Sequence, residues 1–227
     1  GHVIKNGGRV MKNVTGYDLV KLMAGSQGRL GVLTELAFKV QAMPEAEVTL
    51  VAEVDVAQGL ADLRRALASP YDVSGAGYIS GKAALRLEGM AGSVAYRAGQ
   101  VRALLGEHWR EGPDIWPHLR DITPFAGKPG AVWRLVVKPS EAARLAGALA
   151  GEKVFDWGGG LIWLLTLDAA LDVRAIVAGF GHATLIRGLP GMTAPAFSPE
   201  AAPVAALTAG LRAKFDPRGI FNAGGAA

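Results

Sequence analysis

The chain of 227 residues contains no cysteine. That excludes a disulfide, a cysteine-ligated cluster, a thiolate zinc site and a cysteinyl flavin link. The absence fits a cytoplasmic setting. Histidine is scarce too: the four, His2, His108, His118 and His182, lie far apart with no His-x-x-x-His spacing, so no metal site is expected. No apolar run reaches the roughly eighteen residues a spanning helix needs, and nothing resembles a signal peptide. Charged residues make up 19% of the chain and hydrophobic ones 50%, which argues against disorder and for one or two buried cores. The net charge is +4, but the basic residues are scattered, with no run longer than Arg64-Arg65. That argues against a nucleic-acid partner and leaves a mild attraction for anionic small molecules or an anionic membrane surface.

What is present is a pattern used twice. Residues 48–56 read as a strand and 57–68 as a helix with Leu60, Leu63 and Leu67 on one face. Residues 71–79 and 83–87 read as strands about a Ser80-Gly81 turn, and 92–105 as a helix. After a proline-bearing loop at 112–130 the order returns. A strand at 132–137 leads to a helix at 140–150 capped by Ser140, then strands at 154–157 and 161–166 about three glycines. A helix at 167–178 capped by Asp168 and a strand at 183–187 complete it. The prediction is an α+β fold whose central part is a ferredoxin-like repeat with an antiparallel sheet and helices on one face.

The two ends read differently. Val3-Ile4-Lys5 and residues 9–12 predict a hairpin about Gly7-Gly8, residues 18–24 a short helix, and residues 30–40 a strand broken near Glu35. So small a segment, without a sheet partner, is expected to be poorly ordered, rearranged or pinned by a partner. Residues 200–215 predict a closing helix stopped by Asp216-Pro217. The expected organisation is a first segment at 1–44, an α+β domain at 45–199, and a C-terminal helix and tail at 200–227.

Several residues could carry chemistry. Gly25, Gly28 and Gly31 recur every third position, with Ser26 and Thr34 among them. Bare N–H groups and hydroxyls at such a turn suit phosphate or ribose oxygens; the same spacing also suits a plain tight turn. Asn13, Thr15, Tyr17 and Asp18 sit on a turn between apolar residues, where Asn13 could form an Asx-turn and Asp18 a helix cap. Strand alternation puts Arg134 on one face with Val132 and Val136, and Trp133 on the other. An arginine there calls for an internal carboxylate, an open face, or a ligand's carboxylate.

Residues 13–19 (Asn-Val-Thr-Gly-Tyr-Asp-Leu) and 25–35 (Gly-Ser-Gln-Gly-Arg-Leu-Gly-Val-Leu-Thr-Glu) together resemble the second half of the FAD-binding domain of the FAD-linked oxidase family, the vanillyl-alcohol oxidase type. Residues 215–224, Phe-Asp-Pro-Arg-Gly-Ile-Phe-Asn-Ala-Gly, look like the C-terminal signature of that family. Within it, residues 131–135 and 181–187 look most like the shorter FAD-binding subunits of bacterial glycolate oxidases.

That resemblance implies FAD as cofactor of the full-length protein. Asn13, Thr15, Tyr17 and Asp18 would lie beside the flavin or its ribityl chain. Gly28, Gly31, Val32 and Thr34 would lie along the adenosine half and pyrophosphate, and Asn222 near the flavin edge. Residues 1–44 would be the C-terminal remnant of the FAD-binding domain, residues 45–199 a substrate-side cap, and residues 200–227 a return to the FAD side. The implied reaction is oxidation of a small 2-hydroxy acid, with hydride passing to flavin N5. Arg134 would clamp the substrate carboxylate and His182 accept a proton, with Trp157 and Arg187 lining the same place. The alternative is a non-catalytic FAD-binding or assembly subunit of the same complex. Implied partners are a larger flavoprotein subunit and an iron–sulfur subunit, and through them a peripheral membrane attachment. A further lobe, with a glycine-rich pyrophosphate loop, is expected before residue 1, so this stretch alone is expected to hold no stable FAD and to be inactive. Gln27, Arg29 and Ala223 depart from the commoner family residues, and the His-rich metal motif of larger relatives is absent.

Overall fold

In chain order the elements are α1 (Leu19–Met23), β1 (Ala46–Glu53), α2 (Val56–Leu67), β2 (Gly75–Ile79), β3 (Lys82–Gly89), α3 (Ala91–Leu105), β4 (Arg110–Glu111) and α4 (Trp116–Arg120). They continue with β5 (Ala131–Val137), α5 (Ala142–Ala148), β6 (Glu152–Asp156), β7 (Leu161–Thr166), α6 (Val173–Val177), β8 (Gly181–Arg187) and α7 (Ala202–Phe215). This computed structural model describes residues 2–10 and 16–222. The chain divides into two units, Met43–Ser198 on the one hand and Gly1–Ala42 with Pro199–Ala227 on the other.

The larger unit is one antiparallel sheet of eight strands in the order β4-β1-β3-β2-β6-β7-β5-β8. Two ferredoxin-like halves meet at β2 and β6, each with its strands in the order fourth, first, third, second. β1, β2, β3 and β4 of the first half thus correspond to β5, β6, β7 and β8 of the second. Alternating residues explain the layers. Leu50, Leu85, Leu135, Ile162 and Leu164 point to one face, where Leu60 and Leu63 of α2, Val101 of α3, Leu145 of α5 and Val177 of α6 cover them. Val51, Ala84, Val132, Val154 and Leu165 point to the other face. Part of that second face is covered by Ile115, Leu119 and Phe125 from the connection between β4 and β5. That connection, expected to be a loop, contains α4 and a 3-10 turn at Thr123–Phe125. Asp62 is buried inside the first half, accepting from Gln58 Nε2 (2.9 Å) and Trp109 Nε1 (3.3 Å).

Local signals failed where several cap candidates competed. Asp168 does not start a helix; its carboxylate accepts from Ala170 N (2.8 Å) in a turn, and Asp172 caps the shorter α6 by accepting from Ala175 N (3.0 Å). Ser140 does not cap α5, because Pro139–Glu141 form a 3-10 turn and the helix begins only at Ala142. The run at 154–157 is interrupted at Trp157, whose backbone turns left-handed.

In the smaller unit two expected β features are absent among the described residues. Residues 2–10 carry no strand; Asn6 Nδ2 donates to Tyr17 O (3.1 Å) and Arg9 Nη2 to Glu35 Oε1 (3.3 Å) instead of forming a hairpin ladder. Residues 30–40 are β-prone but lack a described strand to bond to, and Val32, Leu36, Phe38 and Val40 stay exposed. A strand exists only as part of a ladder, so propensity alone does not make one. The helix α7 forms as expected, two residues shorter at its start, and ends at Asp216.

Candidate functional site

The smaller unit gathers the glycine loop and the C-terminal motif. Asn222 Nδ2 donates to the carbonyl oxygen of Gln27 (2.8 Å) across 195 residues of sequence. Both residues have left-handed backbones, Gln27 at φ 56° and Asn222 at φ 41°. Asparagine tolerates that conformation, whereas glutamine seldom adopts it, and such strain costs of order 1–3 kcal/mol per residue. Next to this contact Arg29, Arg212, Asp216, Phe221 and Asn222 line a cavity of about 200 Å³. Gly25 (φ 78°) and Gly28 (φ 70°) turn the loop with open space around each Cα, so their backbone can be approached closely. Two guanidinium groups and an amide are donors of the kind phosphate oxygens take. The same lining holds the Asp216 carboxylate, engaged by its own turn, so what suits it is an anionic part of a larger ligand. The cavity is smaller than the ~300–1,000 Å³ of ordinary small-molecule pockets, so it fits only a part.

Asp216 organises the tail. Its carboxylate accepts from Phe221 N (2.8 Å) and Ile220 N (3.0 Å), which closes the turn that presents Asn222. Those two hydrogen bonds, Phe221 first, hold its pKa below the usual carboxylate range. A lowered folded-state pKa means the contribution is present above the unfolded-chain value, and is lost as the pH falls through the lower, folded one. An amide NMR titration of Ile220 and Phe221 is expected to show both peaks constant at neutral pH and moving only on the acid side of the ordinary carboxylate range. In Asp216→Asn that acid step should vanish.

The other cofactor residues expected from the sequence are distributed unevenly. Asp18 caps α1, accepting from Lys21 N (3.3 Å) and pairing with Lys21 Nζ (2.7 Å). Tyr17, Val32 and Thr34 are exposed, and Gly31 is partly covered. All belong to the smaller unit with Gly28 and Asn222. Asn13 and Thr15 lie outside the described residues.

In the larger unit Arg134 and His182 lie on the same sheet face, the one opposite α2, α3, α5 and α6. On β5 Arg134 faces Trp163 of β7 and Thr184 of β8, while Val136 faces His182. The Arg134 guanidinium carbon lies 5.5 Å from the Trp157 ring centroid and 6.0 Å from that of Trp163. No carboxylate pairs with Arg134 among the described residues, so the internal salt bridge considered for it does not form. Trp157 follows β6 with φ 54°, an outlier for so large a residue, and Gly158 (φ 63°) and Gly159 (φ 99°) continue the left-handed run. Burial pushes the neighbouring Asp156 carboxyl up in pKa, while its oxygen accepts from Trp157 N (2.7 Å).

Arg187 does not join this group. A register shift between Val132 and Trp133 re-aims the end of β8, and Arg187 donates instead to Gly130 O (3.1 Å) and Lys128 O (2.7 Å). Trp163, Thr184 and Arg212 were not anticipated. Trp163 was legible as a strand residue with the parity of the second face, but its pairing to Arg134 required the register.

Among the described residues no helix is long and apolar enough to cross a membrane, and no group of three or more acidic or histidine side chains could hold a metal ion. No family model matches the chain. It is 37% identical to glycolate oxidase subunit GlcE of Escherichia coli (strain K12) over 226 residues, 99% of this chain and 61% of that protein. It is 46% identical over 52 residues, 23% of this chain and 11% of the relative, to glycolate oxidase subunit GlcD of Bacillus subtilis (strain 168). A D-lactate dehydrogenase [cytochrome] of Arabidopsis thaliana is 38% identical over 63 residues, covering 28% of this chain and 11% of that one. The chain thus spans less than two thirds of each of these relatives. Among solved structures, alkyldihydroxyacetonephosphate synthase superposes with a TM-score of 0.59 over 93% of this chain and 50% of that one, at 14% identity, a likeness of fold alone. The likeness to GlcE runs through nearly all of the chain, and the proteins it resembles include ones named as FAD-linked oxidoreductases.

Proposed function

We propose that this chain is part of an FAD-binding subunit of a glycolate oxidase, acting on a small 2-hydroxy acid. The observation that carries the reading is the Asn222–Gln27 hydrogen bond, which ties the C-terminal motif to the glycine loop beside a cavity with two arginines. The smaller unit holds the cofactor, with Gly28, Gly31, Val32 and Thr34 along the adenosine half and pyrophosphate and Asn13, Thr15, Tyr17, Asp18 and Asn222 on the flavin side. The larger unit serves the substrate. FAD, when bound, supplies the two-electron acceptor for the hydride lost from the substrate α-carbon. Arg134 holds the substrate carboxylate, which fixes the orientation of the α-carbon, and His182 takes the hydroxyl proton on a ring nitrogen. A larger flavoprotein subunit and an iron–sulfur subunit carry the electrons onward.

A second reading keeps the cofactor but makes the chain a holding or assembly component. It draws support from the relatives, which are named as subunits. The visible spectrum of the full-length protein separates the two. The first reading expects a flavin band that anaerobic glycolate bleaches in the isolated subunit, and about tenfold weaker FAD retention in Asn222→Ala. A stable band that bleaches only when partner subunits are added supports the second. Full-length protein that stays colourless after reconstitution with excess FAD rules out both.

A further inference from the structure

We propose that Trp157 and Trp163 are positioning residues that hold the Arg134 guanidinium ready for the carboxylate of a small 2-hydroxy acid. The inference rests on the reading of Arg134 given above and adds how that side chain is kept available. An indole ring against a guanidinium engages its charge but leaves its in-plane N–H donors for another partner. Among the described residues Arg134 lies against the two rings. A half-buried cation with aromatic neighbours and no paired acid among the described residues, although Asp156 precedes Trp157 on that face, still lacks a hydrogen-bonding anion.

The first half of the sheet supplies an internal comparison. Arg86 of β3 lies on the same face, with its guanidinium carbon 5.1 Å from the centroid of Trp116. There the arrangement is closed. Arg86 Nε pairs with Glu88 Oε2 (3.1 Å), and Trp116 Nε1 donates to Thr49 Oγ1 (2.9 Å). Glu88 stands two residues beyond Arg86 on its strand; two residues beyond Arg134 stands Val136. Arg134 stands on β5, the counterpart of β1 and not of β3, so the two sites are not repeats of each other; they share the sheet face and an aromatic neighbour, and only Arg86 has a paired acid.

Trp157 adds a separate observation. It holds a left-handed backbone that a tryptophan seldom adopts, yet 52% of its surface is exposed, so core packing does not demand an indole there. What the side chain reaches is Arg134.

The test is calorimetric titration of glycolate into full-length protein kept reduced, so that no turnover occurs. Wild type is expected to bind, and Arg134→Gln to lose detectable binding. Trp157→Ala and Trp163→Ala should raise Kd about tenfold, and Trp157→Phe should restore it to within about twofold. Val136→Glu, which places beside Arg134 the acid that Glu88 places beside Arg86, should abolish binding with the arginine intact. In steady state the Trp157→Ala loss should fall on KM and leave kcat near wild type. Wild-type affinity in Trp157→Ala, with binding lost in Arg134→Gln, would overturn the positioning role and leave the Arg134 reading standing. Wild-type affinity in Arg134→Gln, or no binding by wild type, would overturn both. Should Trp163→Ala fail to fold, the exposed Trp157 variants and Val136→Glu decide the matter.

Discussion

In full-length protein, Arg134→Gln is expected to lower kcat/KM for glycolate about a hundredfold, almost all of it through KM. A forked guanidinium–carboxylate contact is worth about 3 kcal/mol when its neutral replacement leaves the anion unpaired, and 1.36 kcal/mol is one decade. On the proposed reading the contact would be made before and during the reaction alike, so its loss would be one of uniform binding. His182→Gln is expected to split the other way. Removing a proton acceptor costs the chemical step about a hundredfold or more, and KM changes little. The two side chains share a sheet face two residues out of step, His182 opposite Val136 and Thr184 opposite Arg134. Initial-rate kinetics on both variants check the pair. An unchanged KM in Arg134→Gln, or an unchanged kcat in His182→Gln, would remove that residue from the site.

The second large effect concerns stability. Gly181→Ala is expected to cost about 3 kcal/mol and to lower the melting temperature by about 6–12 °C. Gly181 opens β8 opposite Val137, and a Cβ there would collide with the Val136 carbonyl oxygen and lie 2.7 Å from Val137 Cα. Both obstacles are backbone, so no side chain can swing aside. The only relief is for β8 to move off β5, which would also carry His182 away from Arg134. A thermal melt of the variant within about 2 °C of wild type would show that the edge strand yields more easily than its ladder implies.

How far the residues announced this arrangement depends on whether a signal was local. The strand at β5 and the face shared by Val132, Arg134 and Val136 follow from period-two alternation, which needs no knowledge of neighbours. The doubled order of strands and helices was legible for the same reason, and the α+β class with it. The pairing of Arg134 with Trp163 was not, because cross-strand partners depend on register. The diversion of Arg187 was hidden as well, since one irregularity between Val132 and Trp133 changes where the rest of β8 points. Asp168 and Asp172, four residues apart, both have the chemistry of a cap; only the turn each belongs to distinguishes them. Residues 30–40 show the limit of propensity, for their β-branched and aromatic content matches a strand while no described segment completes a ladder. In the smaller unit the glycine spacing and the Asn222 motif were each visible alone. The resemblance brought both to one cofactor, but to different parts of it; the direct Asn222–Gln27 contact was not anticipated, and no periodicity could have supplied it.

The seam between the halves of the sheet has a mechanical consequence. β1 and β3 share eight register pairs, whereas β2 and β6 share one, Tyr78 with Phe155, whose rings meet edge-on at 6.1 Å. A stretching force across the sheet therefore concentrates where the fewest backbone rungs resist it. Under such load the midline is where backbone rungs are expected to give first, while the helix-side core, continuous across both halves, has still to be opened.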